Sequence, residues 1–103
     1  PVRRAIAYMN GKSGSVISRW QIAEAAGVNE DYLTRIFHRE IGISPWEYLC
    51  LYRVHAAKVL LSSTALPIRD IAAETGFQDP AYFSRVFRKI AGMSPGDFRK
   101  LHE

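Results

Sequence analysis

The stretch Asp31-Tyr32-Leu33-Thr34-Arg35-Ile36-Phe37-His38-Arg39 decides the fold, because it returns 50 residues later as Ala81-Tyr82-Phe83-Ser84-Arg85-Val86-Phe87-Arg88-Lys89. Tyrosine, arginine and phenylalanine recur outright, while Leu33 gives way to Phe83, Thr34 to Ser84 and Ile36 to Val86. Downstream, Gly42, Ser44 and Pro45 meet Gly92, Ser94 and Pro95. Upstream the offset becomes 49: Ile22-Ala23 and Gly27 meet Ile71-Ala72 and Gly76, so Gln78 is an insertion of the kind that turns absorb. One supersecondary unit is used twice.

Each unit reads as helix, tight turn, helix. In the first, Ser18 is an N-cap with Gln21 completing a capping box, and Ile17 and Ile22 are placed as a hydrophobic staple. Gly27 stands where a left-handed residue must close that helix, Asn29 caps the next, and Leu33, Ile36, Phe37 and Ile41 recur on one side of it. In the second, Pro67 precedes the short helix, Gly76 ends it, and Asp79-Pro80 starts the longer one, whose buried stripe is Phe83, Val86, Phe87 and Ile90. Gly-x-Ser-Pro follows each unit and starts a further helix, with Glu47 or Asp97 answering the serine cap. The helix from Pro45 to about Leu61 has no internal Gly or Pro, and helices at Val2–Met9 and Pro95–Leu101 bring the count to seven with no strand. The expectation is an all-α domain: a first helix-turn-helix subdomain over 1–44, a connecting helix over 45–62 and a second subdomain over 63–103.

Composition narrows the function. A chain of 103 residues, 48% apolar, suits one compact domain. The lone Cys50 forms no internal disulfide, and His38, His55 and His102 lack metal-ligand spacing, so neither a disulfide scaffold, nor a metal site, nor a cofactor is expected. No apolar run reaches the ~18 residues of a membrane span, and nothing resembles a signal peptide, so the reading is cytoplasmic. The start at Pro1 suggests a domain excised from a longer protein. Gly11-Lys12-Ser13 ends like a phosphate-binding loop, but Ile6 stands where that motif needs glycine; it reads as a flexible loop, and no catalytic constellation marks an enzyme. Cys50, on a mostly apolar helix, reads as packed and inert.

Alanine at the fifth position of a helix with glycine four residues later, as in Ala23/Gly27 and again Ala72/Gly76, is the spacing of a DNA-binding helix-turn-helix. Small Ala23 lets the helices cross closely and Gly27 turns the chain. The second helix of such a pair enters the major groove with its early outward residues at base edges. Those are Glu30, Asp31, Thr34, Arg35 and His38 in one copy, and Pro80, Ala81, Ser84, Arg85 and Arg88 in the other. Arg35 and Arg85 lead as base readers, since a guanidinium bonds guanine O6 and N7 together. Glu30 and Asp31 read more simply as favourable charge at a helix start. Phosphate contacts are expected from the amides of helices starting at Ser18, Pro45, Ile68 and Pro95, and from Lys12, Arg19, Arg39, Arg69, Arg88 and Lys89. Trp20 either joins Ser18 and Arg19 beside a phosphate or covers the core edge. Phe37, Phe83, Phe87 and Trp46 fall on buried stripes rather than stacking positions. At ~1.5 Å per residue the connecting helix spans ~25 Å, which with the flanking helices approaches the ~34 Å between successive turns of one groove.

The sequence resembles the DNA-binding domain of the AraC/XylS family of bacterial transcription regulators. The similarity runs from about Ile6 to Leu101 and is carried by Ile71-Ala72, Gly76-Phe77, Tyr82 through Lys89, Gly92-Met93-Ser94-Pro95 and Phe98-Arg99, with Arg53, Ala57, Leu60 and Leu61 on the connecting helix. The resemblance implies two helix-turn-helix subdomains that bind an asymmetric double-stranded DNA site. It places base contacts at Asp31, Thr34 and Arg35, and at Pro80, Ala81, Ser84 and Arg85. Pro80 and Ala81 depart from the family, where a polar residue often stands, so the second subdomain is expected either to read methyl groups and shape or to contribute mainly backbone affinity. The family further implies an effector, dimerising or phosphoacceptor domain elsewhere, contact with RNA polymerase, a bacterial nucleoid location, and activation in preference to repression.

A helical-repeat protein-interaction module is the alternative, since stacked helix pairs also repeat. Against it stand the need of solenoids for three or more repeats and the recurrent Thr/Ser-Arg pair off the core face. The net charge of +4 is unevenly placed: residues 1–51 carry six basic against five acidic side chains, and residues 52–103 eight against five. The second unit is therefore expected to supply more of the phosphate attraction.

Overall fold

The computed structural model describes residues 1–103 and contains seven helices and no strand: α1 (Val2–Lys12), α2 (Arg19–Ala26), α3 (Glu30–Ile41), α4 (Pro45–Ser63), α5 (Ile68–Glu74), α6 (Pro80–Ala91) and α7 (Pro95–Leu101). Sequence-readable devices start them. The Tyr32 amide donates to Asn29 Oδ1 at 2.8 Å, the Ala81 amide to Asp79 Oδ1 at 2.9 Å, and the Ser18 amide to Gln21 Oε1 at 2.8 Å. Ser44 and Glu47 form a reciprocal box at 3.2 and 3.4 Å. At α7 the forward bond forms, Asp97 amide to Ser94 Oγ at 3.1 Å, but the Asp97 carboxylate does not bond back.

The two helix-turn-helix turns are closed by equivalent bonds. Val28 N–H reaches Ala23 O at 3.1 Å, and Phe77 N–H reaches Ala72 O at 2.9 Å. Gly27 and Gly76 hold φ of +76° and +95°, the left-handed region that closes each turn.

Two separate cores result. The first joins Val2, Ala5 and Met9 of α1 to Ile17, Ile22, Ala23 and Ala26, to Leu33, Ile36 and Phe37 of α3, and to Leu49 at the start of α4. The second joins Val54, Ala57 and Leu61 of α4 to Ile71, Ala72, Phe77, Phe83 and Phe87. Its aromatic rings run in sequence from Phe77 to Phe83, Phe87 and Phe98 at centroid separations of 5.1, 5.7 and 5.7 Å. Helix α4 contributes its first half to one core and its second half to the other, and the molecule is elongated, 42 × 22 × 21 Å.

Four sequence expectations change. Helix α1 continues through Gly11 and Lys12, so the flexible loop expected there is the helix end, and the loop begins at Ser13. Helix α4 runs through Ser63, past both Leu61 and residue 62, with the Ser62 and Ser63 hydroxyls bonding carbonyls of the preceding turn. Ile41 is 42% exposed, because the last turn of α3 extends past the core. Trp46 is only half-buried: it packs against the edge of the first core, and its indole N–H reaches Tyr82 of the second unit.

Candidate nucleic-acid interface

On α3, Leu33, Ile36 and Phe37 are buried, which turns Asp31, Thr34, Arg35, His38 and Arg39 to solvent. On α6, Phe83 and Phe87 are buried; Pro80, Ala81, Arg85, Arg88 and Lys89 are exposed and Ser84 is half-buried. The expected recognition faces are therefore free on both helices. Val86 and Ile90, expected within the buried stripe of α6, are only partly buried at its edge.

Each leading arginine has an aromatic support one turn earlier. The guanidinium carbon of Arg35 lies 5.7 Å from the centre of the Tyr32 ring, and that of Arg85 lies 5.8 Å from the Tyr82 ring. At such distances the ring quadrupole attracts the cation and narrows the directions it samples. The supports differ in rigidity: Tyr32 is 42% exposed, whereas Tyr82 is half-buried and its hydroxyl accepts a bond from Trp46 Nε1 at 3.5 Å. The repeat Tyr-x-x-Arg carries this signal in sequence; reading the tyrosines only as part of the repeat missed it.

Two hollows flank these helices. One, of about 250 Å³, is bordered by Arg19, Glu30, Thr34, Ser44 and Trp46. The other, of about 340 Å³, is bordered by Val16, Trp46, Gly76, Asp79, Tyr82 and Arg85. Trp46 belongs to both walls, so the exposed starts of α3 and α6 open on either side of one indole.

The expected phosphate-facing groups are placed unequally. Arg19 is exposed, and its guanidinium carbon sits 4.5 Å above the Trp46 ring, tying the start of α2 to α4. Arg69 is 3.8 Å from Asp70 in an exposed pair of little energetic weight. The Ser18 hydroxyl donates to Gln21 Oε1 at 3.1 Å and serves the helix start. Trp20 is 56% exposed beside Tyr8, Gln21 and Glu24, outside both hollows. No group of three or more His, Cys, Asp or Glu side chains is arranged to hold a metal, and no helix is long and apolar enough to cross a membrane.

Sequence reasoning assigned Arg53 only to the connecting helix. It is 3% exposed, donates from Nε to the Ser13 carbonyl at 2.9 Å and from Nη2 to the Ser15 carbonyl at 2.8 Å, and lies 5.6 Å from the Phe77 ring. Arg99 has a related role at the other end, donating to the carbonyls of Leu61 and Thr64, both at 3.2 Å. Burial pushes the Cys50 thiol above its ordinary pKa, opposed by its hydrogen bond with Tyr82 and by Arg53; burial also lowers the Arg53 pKa.

Comparison with known proteins agrees with this architecture. A family described as a helix-turn-helix domain matches residues 22–101. The arabinose operon regulatory protein of Escherichia coli is 35% identical over 99 residues, covering 95% of this chain and 34% of that protein. The C-terminal domain of AraT, a response regulator from Geobacillus stearothermophilus, superposes with a TM-score of 0.92 at 37% identity, over 97% of this chain and 84% of that one. The DNA-binding domain of the global transcriptional factor AdpA, solved with a target DNA, shares the fold at a TM-score of 0.91 and 24% identity, over 98% and 91% of the two chains. The chain thus spans about a third of the arabinose regulator's length. The helical-repeat interaction module is not favoured by these matches. A repeated helix-turn-helix, supported arginines on both second helices and these likenesses together show that the chain belongs to the AraC/XylS family of DNA-binding transcription regulators.

Proposed function

We propose that this domain reads an asymmetric double-stranded DNA site by setting α3 and α6 into successive major grooves. The observation that carries the reading is the pair of solvent-facing arginines, Arg35 and Arg85, each over a tyrosine one turn earlier, on helices that open on either side of Trp46. The 42 Å length of the domain accommodates the ~34 Å between successive turns of one groove.

In this reading Arg35 and Arg85 bond guanine edges, Thr34 and Ser84 bond neighbouring bases, and Asp31 accepts from cytosine N4. Pro80 and Ala81 meet thymine methyl groups or groove shape. Arg19, Arg39, Arg69, Arg88 and Lys89 hold phosphates with the amides at helix starts, Ser18 acts through its backbone, and Trp20 packs at the edge of that contact. The proposed division is a first subdomain over 1–44, the connecting helix, which runs to Ser63 rather than residue 62, and a second subdomain beyond it, a reading supported by the two cores on either side of that helix.

For the protein as a whole we extend the proposal to a bacterial, cytoplasmic and nucleoid-bound regulator that activates transcription with RNA polymerase and carries a separate effector or dimerising domain. The test is selection of bound sequences from a random duplex pool. A two-part motif whose affinity falls steeply with salt is expected; failure to enrich any motif overturns the reading.

A further inference from the structure

The two subdomains meet at a seam beside the middle of α4, between the two cores. On one side is the loop between α1 and α2, where the carbonyls of Ser13 and Ser15 point inward; on the other is the turn at Gly76. Arg53, from the middle of α4, fills the space between them. A methyl group on Gly76 would overlap the Ser13 carbonyl oxygen and lie 2.7 Å from Arg53 Nε and 2.9 Å from Nη2. Phe77 and Trp46 flank the guanidinium at 5.6 and 6.0 Å. No carboxylate pairs with this buried cation, so backbone carbonyls and aromatic faces carry its compensation.

Neither apolar core includes this side chain, although it lies against Phe77 of the second. What its head group adds is a direct tie from α4 to the first subdomain's loop, against which the second subdomain's turn rests. The turn leads through Asp79 straight into α6 and Arg85. We propose that Arg53 is a positioning residue that fixes the second recognition helix relative to the first, and so sets the separation of the two DNA segments the domain accepts. The inference rests on the bipartite reading above.

The test uses the two-part motif recovered by the parent domain, together with versions carrying one base pair more or fewer between the halves. Each such change shifts one half by ~3.4 Å and turns it by ~34°. The parent is expected to lose about tenfold or more on either altered duplex. Arg53→Met, folded by circular dichroism and binding either half normally, is expected to discriminate by about threefold or less. Arg53→Lys, which retains one donor, is expected to restore part of the discrimination, and it carries the comparison alone if Arg53→Met does not fold. Variants that discriminate between spacings as sharply as the parent overturn the inference and leave the bipartite reading standing. So does a parent that tolerates the altered spacings. Recovery of no two-part motif by the parent overturns the bipartite reading itself.

Discussion

Arg85 lies over the ring of Tyr82 at 5.8 Å, and Tyr82 is in turn held by the indole N–H of Trp46 at 3.5 Å. A residue of the connecting helix thus supports, through one tyrosine, the arginine that leads the second recognition helix. Arg35 has the equivalent residue of the first copy, Tyr32, beneath it at 5.7 Å, without the indole.

Replacing Arg35 or Arg85 by alanine is expected to weaken binding to the selected motif by ~1–3 kcal/mol and to relax the preference for guanine at one position. Both side chains are exposed, so the thermal transition should move little. Titration of each variant against matched and singly substituted duplexes checks this. Parent-like affinity in both would remove these arginines from the reading.

Arg88 and Lys89 form the basic last turn of α6, outside its buried face. If they hold phosphates, Arg88→Ala and Lys89→Ala should weaken binding to all sequences alike. Each should flatten the slope of log affinity against log salt by ~1. An unchanged slope would assign them to ordinary solvated surface.

Gly76 and Gly92 both hold left-handed backbone, with φ of +95° and +81°, yet their surroundings differ. Nothing lies within 4 Å of a methyl at Gly92, whereas one at Gly76 meets the Ser13 carbonyl and Arg53. Gly92→Ala is expected to cost ~1–2 kcal/mol from backbone strain alone. Gly76→Ala should cost clearly more, since a backbone carbonyl gives way less readily than a side-chain end. Denaturant titration of the two variants side by side measures the difference, and equal costs would contradict the seam's tightness.

Cys50 is buried, and its thiol is held above the ordinary pKa by desolvation. The native chain should therefore react with a thiol reagent at mildly alkaline pH much more slowly than the chain in urea. The sign for stability follows from the raised value: the folded state keeps the proton longer. The thiol's contribution is therefore full below the unfolded pKa and is lost as pH rises through the folded one. Comparing the parent with Cys50→Ala across alkaline pH isolates this term. Equal reactivity in native and denatured chains would show that the thiol is not shielded.

Much of the architecture was legible in the residues. Repetition at 50 residues, two left-handed glycines and Ser, Asn or Asp at helix starts set the helix order, because caps and turns are local chemistry with strong residue preferences. The exposed faces of α3 and α6 followed from helical periodicity around Leu33, Phe37, Phe83 and Phe87. Local pattern was a poorer guide at the element ends. Helix α1 absorbed Gly11 and Lys12, and Ile41 passed beyond the core it was expected to join.

The relation between the two units belongs to the tertiary structure. That Arg53 bonds the Ser13 and Ser15 carbonyls, about forty residues away in the chain, leaves no periodic trace, and neither does the bond between Trp46 and Tyr82. In sequence Arg53 is one more cation and Trp46 one more aromatic on an apolar helix. Their roles arise from where α4 carries them once the two cores close at its ends. The sequence by itself determined two helix-turn-helix units and the helix between them; packing alone decided how those units stand to one another, since it depends on side chains from distant segments sharing one small buried space.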